Sequence, residues 1–168
     1  MLAMLLAAAL VPAAPACHPD RIWARTANLD GDAVKEQVRA IDSHDCQHEH
    51  FSARVTIRDR CQGVWTTFQI ADERLPLRYF RVVDVDGWTK RREVFFVIGD
   101  TARIVRLAAR RGKCPQPVDL FSVAGASSVE LSDLTRRYRG LELSVVASGG
   151  TTFFRYSRTR ARYVPYTA

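Results

Sequence analysis

The chain predicts an α+β fold: an N-terminal helix packed on a curved antiparallel meander, a second helix near residues 128–139, and a closing C-terminal hairpin. Three observations carry that expectation. Val34, Val38 and Ile41 recur at helical spacing behind two good N-cap residues, Asp30 and Asp32. From Phe51 the apolar period changes to two, as in a half-buried strand. Ser127 with Glu130 forms a capping box, and Leu131, Leu134 and Tyr138 follow at helical spacing before Gly140.

Taken in order, residues 18–29 read as an irregular lead-in around Pro19. The first helix starts at Asp30 or Asp32, whose charge suits the positive end of a helix dipole. Its apolar stripe turns polar at His44, Asp45 and His48, where the helix ends. Phe51, Ala53, Val55 and Ile57 then alternate with Ser52, Arg54, Thr56 and Arg58 in a first strand. Gln62-Gly63 turns into a second strand over 64–71, and a loop at 72–76 leads to a third over 79–85. Asp86-Gly87 is a two-residue hairpin turn. Pairing 79–85 directly with 88–94 sets Val83 opposite Lys90 and Arg81 opposite Arg92, a poor register that calls for a bulge or another pairing.

Val94-Phe95-Phe96-Val97-Ile98 is apolar on both faces and is expected to be central and covered twice. Gly99-Asp100 turns into a fifth strand, 102–108, whose pattern also fits a helix. A breaker-rich loop at 112–117 holds Cys114. After the second helix, residues 141–148 and 151–157 form a hairpin around Gly149-Gly150, and a basic, aromatic segment ends the chain. The layout is nearest to an NTF2-like or cystatin-like arrangement by analogy of elements alone.

Residues 1–16 read as a signal peptide. Leu2 to Val11 is apolar but well short of the roughly 20 residues that span a bilayer, and Ala14-Pro15-Ala16 offers small residues to signal peptidase. The n-region lacks Lys and Arg. Cys17 follows directly, so two routes stand: plain cleavage after Ala16, or lipidation of Cys17. Ala14, where a lipoprotein signal normally has Leu, favours the first. Either route leads to an oxidising compartment, periplasmic or secreted, with residues 17–168 as a single domain.

With 47% apolar and 26% charged residues the chain is globular material, not a disordered tail. Its net charge is +7, and 22 of 25 basic residues are arginine. A basic surface favours anionic partners. The four cysteines allow three pairings. Alternating strand direction puts Cys61 and Cys114 at one end of the sheet and Cys46 at the other. A strand over 51–60 covers about 30 Å, whereas residues 46–51 return at most about 17 Å. Cys61–Cys114 is therefore expected, with Cys17–Cys46 as the second bridge if Cys17 is not acylated.

Three sets of side chains are candidates for chemistry. His44, His48 and His50, with Asp45, could ligate zinc, since His44 and His48 share a helix face and His48 and His50 share a strand face. No HExxH or CxxC spacing supports this, and a solvated polar junction is the plainer reading. Cys46 between His44 and His48 could act as a nucleophile only if unpaired. Arg155, Arg158, Arg160 and Arg162, with Tyr156, Tyr163 and Tyr166, form a basic and aromatic end with no acidic residue after Glu142. That pattern suits an anionic surface or, as the plainer reading, a charge-protected edge strand.

The function expected is an exported, non-enzymatic binding or inhibitory module of the cell envelope. Its partner would be a protein or an anionic envelope component, with nucleic acid disfavoured by export and membrane contact arising only through lipidation at Cys17. No catalytic motif or cofactor signature is present. A metal-dependent binding or hydrolytic activity at His44, His48 and His50 is the second reading. A carrier of an apolar ligand inside the curved sheet is the third.

Overall fold

A computed structural model describes residues 19–85, 91–109, 113–133 and 141–167. These residues form twelve strands in three four-stranded antiparallel sheets, with no helix among them, so the fold is all-β and not α+β. The first sheet holds β1 (Arg21–Ala27), β2 (Glu36–Asp45), β3 (His50–Cys61) and β4 (Val64–Glu73). In the second are β5 (Leu77–Val83), β6 (Glu93–Ile98), β7 (Thr101–Ala108) and β8 (Gln116–Val123). The third comprises β9 (Ser128–Asp133), β10 (Leu141–Ala147), β11 (Gly150–Ser157) and β12 (Arg162–Tyr166). Within each sheet, strands adjacent in sequence are adjacent in space.

The expected N-terminal helix is replaced by β2, for a physical reason. Its inward residues are Glu36, Val38, Ala40 and Asp42, all buried, and they alternate with outward Gln37, Arg39 and half-buried Ile41. Two of the four inward residues are acids, so the period of two is masked and the Val34, Val38, Ile41 spacing stands out instead. The lead-in is not irregular either. It forms edge strand β1, pairing Trp23 with Ala40 and Arg25 with Val38.

The expected second helix begins as β9. Ser127 does not cap: its N–H and its hydroxyl both donate to Val146 O, at 2.8 and 3.0 Å, extending the ladder to β10. Val129 and Leu131 lie half-buried on one face with period two. The remainder of that expectation, residues 134–139, lies outside the described residues, as does the Asp86-Gly87 turn. The closing hairpin forms as β10 and β11, with Ala147 paired to Gly150.

β6 is the centre of the molecule. All six of its residues are buried, and β5 and β7 flank it. Val94, Phe96 and Ile98 pack in one cluster with Val38, Val55 and Ile57 of the first sheet. Phe95 and Val97 pack in a second with Leu143, Val145 and Tyr163 of the third sheet. The second sheet is thus covered on both faces at its centre. Its β5–β6 pairing sets Arg81 opposite Phe95 and Val83 opposite Glu93, with a register shift between Leu77 and Tyr79.

Polar links tie the layers together. Cys61 at the end of β3 is bonded to Cys114 before β8, with Cα atoms 5.5 Å apart, joining the first sheet to the second. Arg103 of β7 donates to Ile70 O of β4 at 2.6 Å. The buried Glu93 accepts from Arg106 Nε at 2.7 Å and from Val85 N at 3.0 Å. Arg106 also donates to the Tyr156 hydroxyl at 3.1 Å, reaching the third sheet.

Candidate functional site

The histidine-rich residues form the β2–β3 hairpin. Asp45 pairs with His50 and His44 with Phe51 across the ladder. His44 stacks on the Phe51 ring, with centroids 4.1 Å apart, and is half-buried. His48 Nδ1 donates to Asp45 Oδ2 at 2.8 Å, and both side chains are exposed. That hydrogen bond, helped by Gln47 N at 3.0 Å, holds the Asp45 carboxyl below its ordinary range. The His48 and His50 rings lie 6.2 Å apart. With no helix here, His44 and His48 do not share the face expected of them. Cys46 is disulfide-bonded, and its expected partner Cys17 lies outside the described residues, as does the signal peptide. A paired sulfur is no nucleophile.

The C-terminal basic residues separate into two groups. Tyr163 is buried and donates its hydroxyl to Leu141 O at 3.1 Å, while half-buried Tyr156 lies under the Arg106 guanidinium at 5.3 Å. Both tyrosines therefore serve the interior. Arg155 stacks over Tyr166 at 5.2 Å. Arg158 and Arg160 do not continue a strand: residues 158–161 form the β11–β12 turn, with Ala161 at a φ of 50°.

Arg160 and Arg162 line an open groove of about 390 Å³ whose apolar wall includes Leu120, Phe121 and Phe154. It runs between β8 and β12, each the edge strand of its sheet. Asp119 also lines it, but Arg103 neutralises that carboxylate through bonds of 2.8 and 3.0 Å. Among the described residues, Arg160 and Arg162 make no ion pair. The cavity under Ala71, Leu75 and Phe96, by contrast, is only about 120 Å³, below the roughly 300 Å³ at which small-molecule pockets begin.

A third site was hidden from the sequence reading. Between β1 and β2, Asn28, Asp30 and Asp32 alternate around Gly31, whose φ of 93° suits glycine. Asn28 Oδ1 accepts from Gly31 N at 2.6 Å and Asp30 Oδ1 from Asp32 N at 2.9 Å. Asp30, Asp32 and Glu36 each bring a carboxylate oxygen to within 4.8 Å of the others. Among the described residues this is the set of metal-type ligands that converges; His44, His48, His50 and Asp45 do not form one.

Glu36 is fully buried, with one oxygen accepting from Leu29 N and the other without a partner. Gln37 pairs with Arg58, so the next position along the ladder sets Asp59 opposite Glu36 on the same inward face. Asp59 is 1% exposed, and neither of its carboxylate oxygens has a partner. Burial, reinforced by Asp30, raises both acids, Glu36 to about 7. The sequence carried the signal as Asp30 and Asp32, which the helix expectation consumed as N-caps.

Comparison with known proteins finds no family model, no curated protein and no solved structure that matches this chain.

Proposed function

We propose that the protein is an exported, non-catalytic binding or inhibitory module of the cell envelope that engages an anionic partner through the β8–β12 groove. The observation that carries this reading is the pair Arg160 and Arg162, which stand at an open groove without ion pairs among the described residues. Bidentate guanidinium groups beside an apolar wall, buried at Leu120 and Phe121 and half-buried at Phe154, suit carboxylate or phosphate groups on a protein or envelope polymer. Edge strands on both walls also leave backbone donors and acceptors for an extended segment. The Cys61–Cys114 bond supports export, because structural disulfides persist in oxidising compartments.

The test is co-sedimentation of the full chain with its own cell-envelope fraction at about 50 mM and about 500 mM NaCl, a range over which exposed charges become screened. Retention at low salt, release at high salt, and loss of retention in the Arg160→Ser, Arg162→Ser variant are expected. Retention indifferent to both salt and variant contradicts the reading.

A further inference from the structure

Two of the acids around the β1–β2 loop are buried without the partners that buried carboxylates require. An ionised carboxylate out of water is strongly unfavourable unless it is paired, hydrogen-bonded or coordinates a metal. Glu36 has one satisfied oxygen and one orphan, and Asp59 has two orphans. No cation among the described residues fills this role. Arg91 packs on the loop, where a Cβ at Gly31 would come within 2.5 Å of its Nε, yet it makes no ion pair with Asp30, Asp32, Glu36 or Asp59. Glu36, with its orphan oxygen, is one of the three carboxylates that converge at this loop, and Asp59 stands opposite it on the ladder.

We propose that Asp30, Asp32 and Glu36 form a binding site for a hard divalent cation, calcium, with the buried Asp59 as a further acid beside Glu36. The donors are all carboxylate oxygens, with no histidine or thiolate among them, which suits calcium or magnesium rather than zinc or copper. Hydration separates the first two. Oxygens on opposite sides of one ion lie about 4.6–5.2 Å apart for calcium and about 4.0–4.2 Å for magnesium, twice their usual bond lengths. Three oxygens within 4.8 Å of one another fit around calcium, and a set made of protein carboxylates suits it better than magnesium, which dehydrates reluctantly and keeps several waters. Asp30, Asp32 and Glu36 come from one loop and the strand it leads into, and Asp59 comes from the neighbouring strand. Bound calcium would therefore pin the loop to the first sheet.

The experiment is calorimetric titration of the chelator-treated full chain with calcium chloride, and separately with magnesium chloride. One calcium per chain is expected, with a Kd of about 10⁻³ M or tighter, and magnesium binding at least about tenfold weaker. Asp32 is exposed, so Asp32→Asn should fold normally by circular dichroism while weakening calcium about tenfold or more. Glu36→Gln should abolish binding. Absence of saturable calcium uptake below about 10 mM, ten times the weakest affinity expected, overturns the proposal. So does binding unchanged in both variants, and magnesium bound as tightly as calcium overturns the choice of ion.

Discussion

Glu36 is buried where a strand expects an apolar residue, and its carboxyl is raised from 4.5 to about 7 by that burial. The folded chain therefore holds a proton there that the unfolded chain has released between those two values. Stability of the cation-free protein is highest below the unfolded value and falls as pH rises through about 7. At roughly 1.4 kcal/mol per pKa unit, the change amounts to a few kcal/mol. Asp59, raised by the same cause, adds to it in the same direction. Thermal melts in chelator across this range should show the decline, and Glu36→Gln should flatten it. A melting temperature that rises over the same interval would contradict the assignment. Gly31→Ala should cost about 1 kcal/mol or more, because an alanine at a φ of 93° is strained and its Cβ would meet Arg91 Nε at 2.5 Å. Chemical denaturation reads that loss. These residues were the least legible in the sequence, since Glu36, Asp42 and Asp59 occupy inward positions that a hydrophobic pattern assigns to solvent.

Among the elements, β6 was legible and β2 was not, and the same rule explains both. Five consecutive apolar residues in β6 need two apolar partners, and the first and third sheets provide them. In β2 the inward row is half acidic, so periodicity misled. The hairpins that formed as expected carry glycine at the turn, as at Gln62-Gly63 and Gly149-Gly150. Phe96→Ala should destabilise by about 3–5 kcal/mol, since the ring is fully enclosed between two sheets. The Glu93–Arg106 pair joins β6 to β7 with both side chains nearly or wholly out of water. Arg106→Met leaves Glu93 buried without that guanidinium, a loss of about 3–5 kcal/mol. The double variant Arg106→Met, Glu93→Leu should recover most of it. Urea midpoints of the two variants make that comparison, and equal losses would mean that the ion pair is not what is being measured.

At the scale of the molecule, three successive meanders stack so that the central strand of the middle sheet, β6, has no wet face. β1, β2, β8 and β9 escaped the sequence, whereas other strands, such as β3, were readable from period two. Their division into three sheets was not, because meanders look alike in sequence whichever sheet they join. The Cys61–Cys114 pairing followed from strand direction and chain reach, yet its consequence emerges only from the fold: it crosses from the first sheet to the second. Its removal by Cys61→Ser, Cys114→Ser should cost roughly 2–4 kcal/mol, read as a lower denaturation midpoint. The candidate surfaces divided similarly. Of the basic and aromatic residues expected to bind, Tyr156 and Tyr163 went to the interior, while Arg160 and Arg162 came to rest beside a groove that no local pattern announces.

Charge reversal at that groove is the most direct measurement of the functional proposal. The Arg160→Glu, Arg162→Glu variant and the unaltered protein, each immobilised, should be exposed to the same cell-envelope extract at low salt. The proposal predicts that the unaltered protein retains an anionic component which the reversed protein loses. Equal retention of that component by both would contradict it.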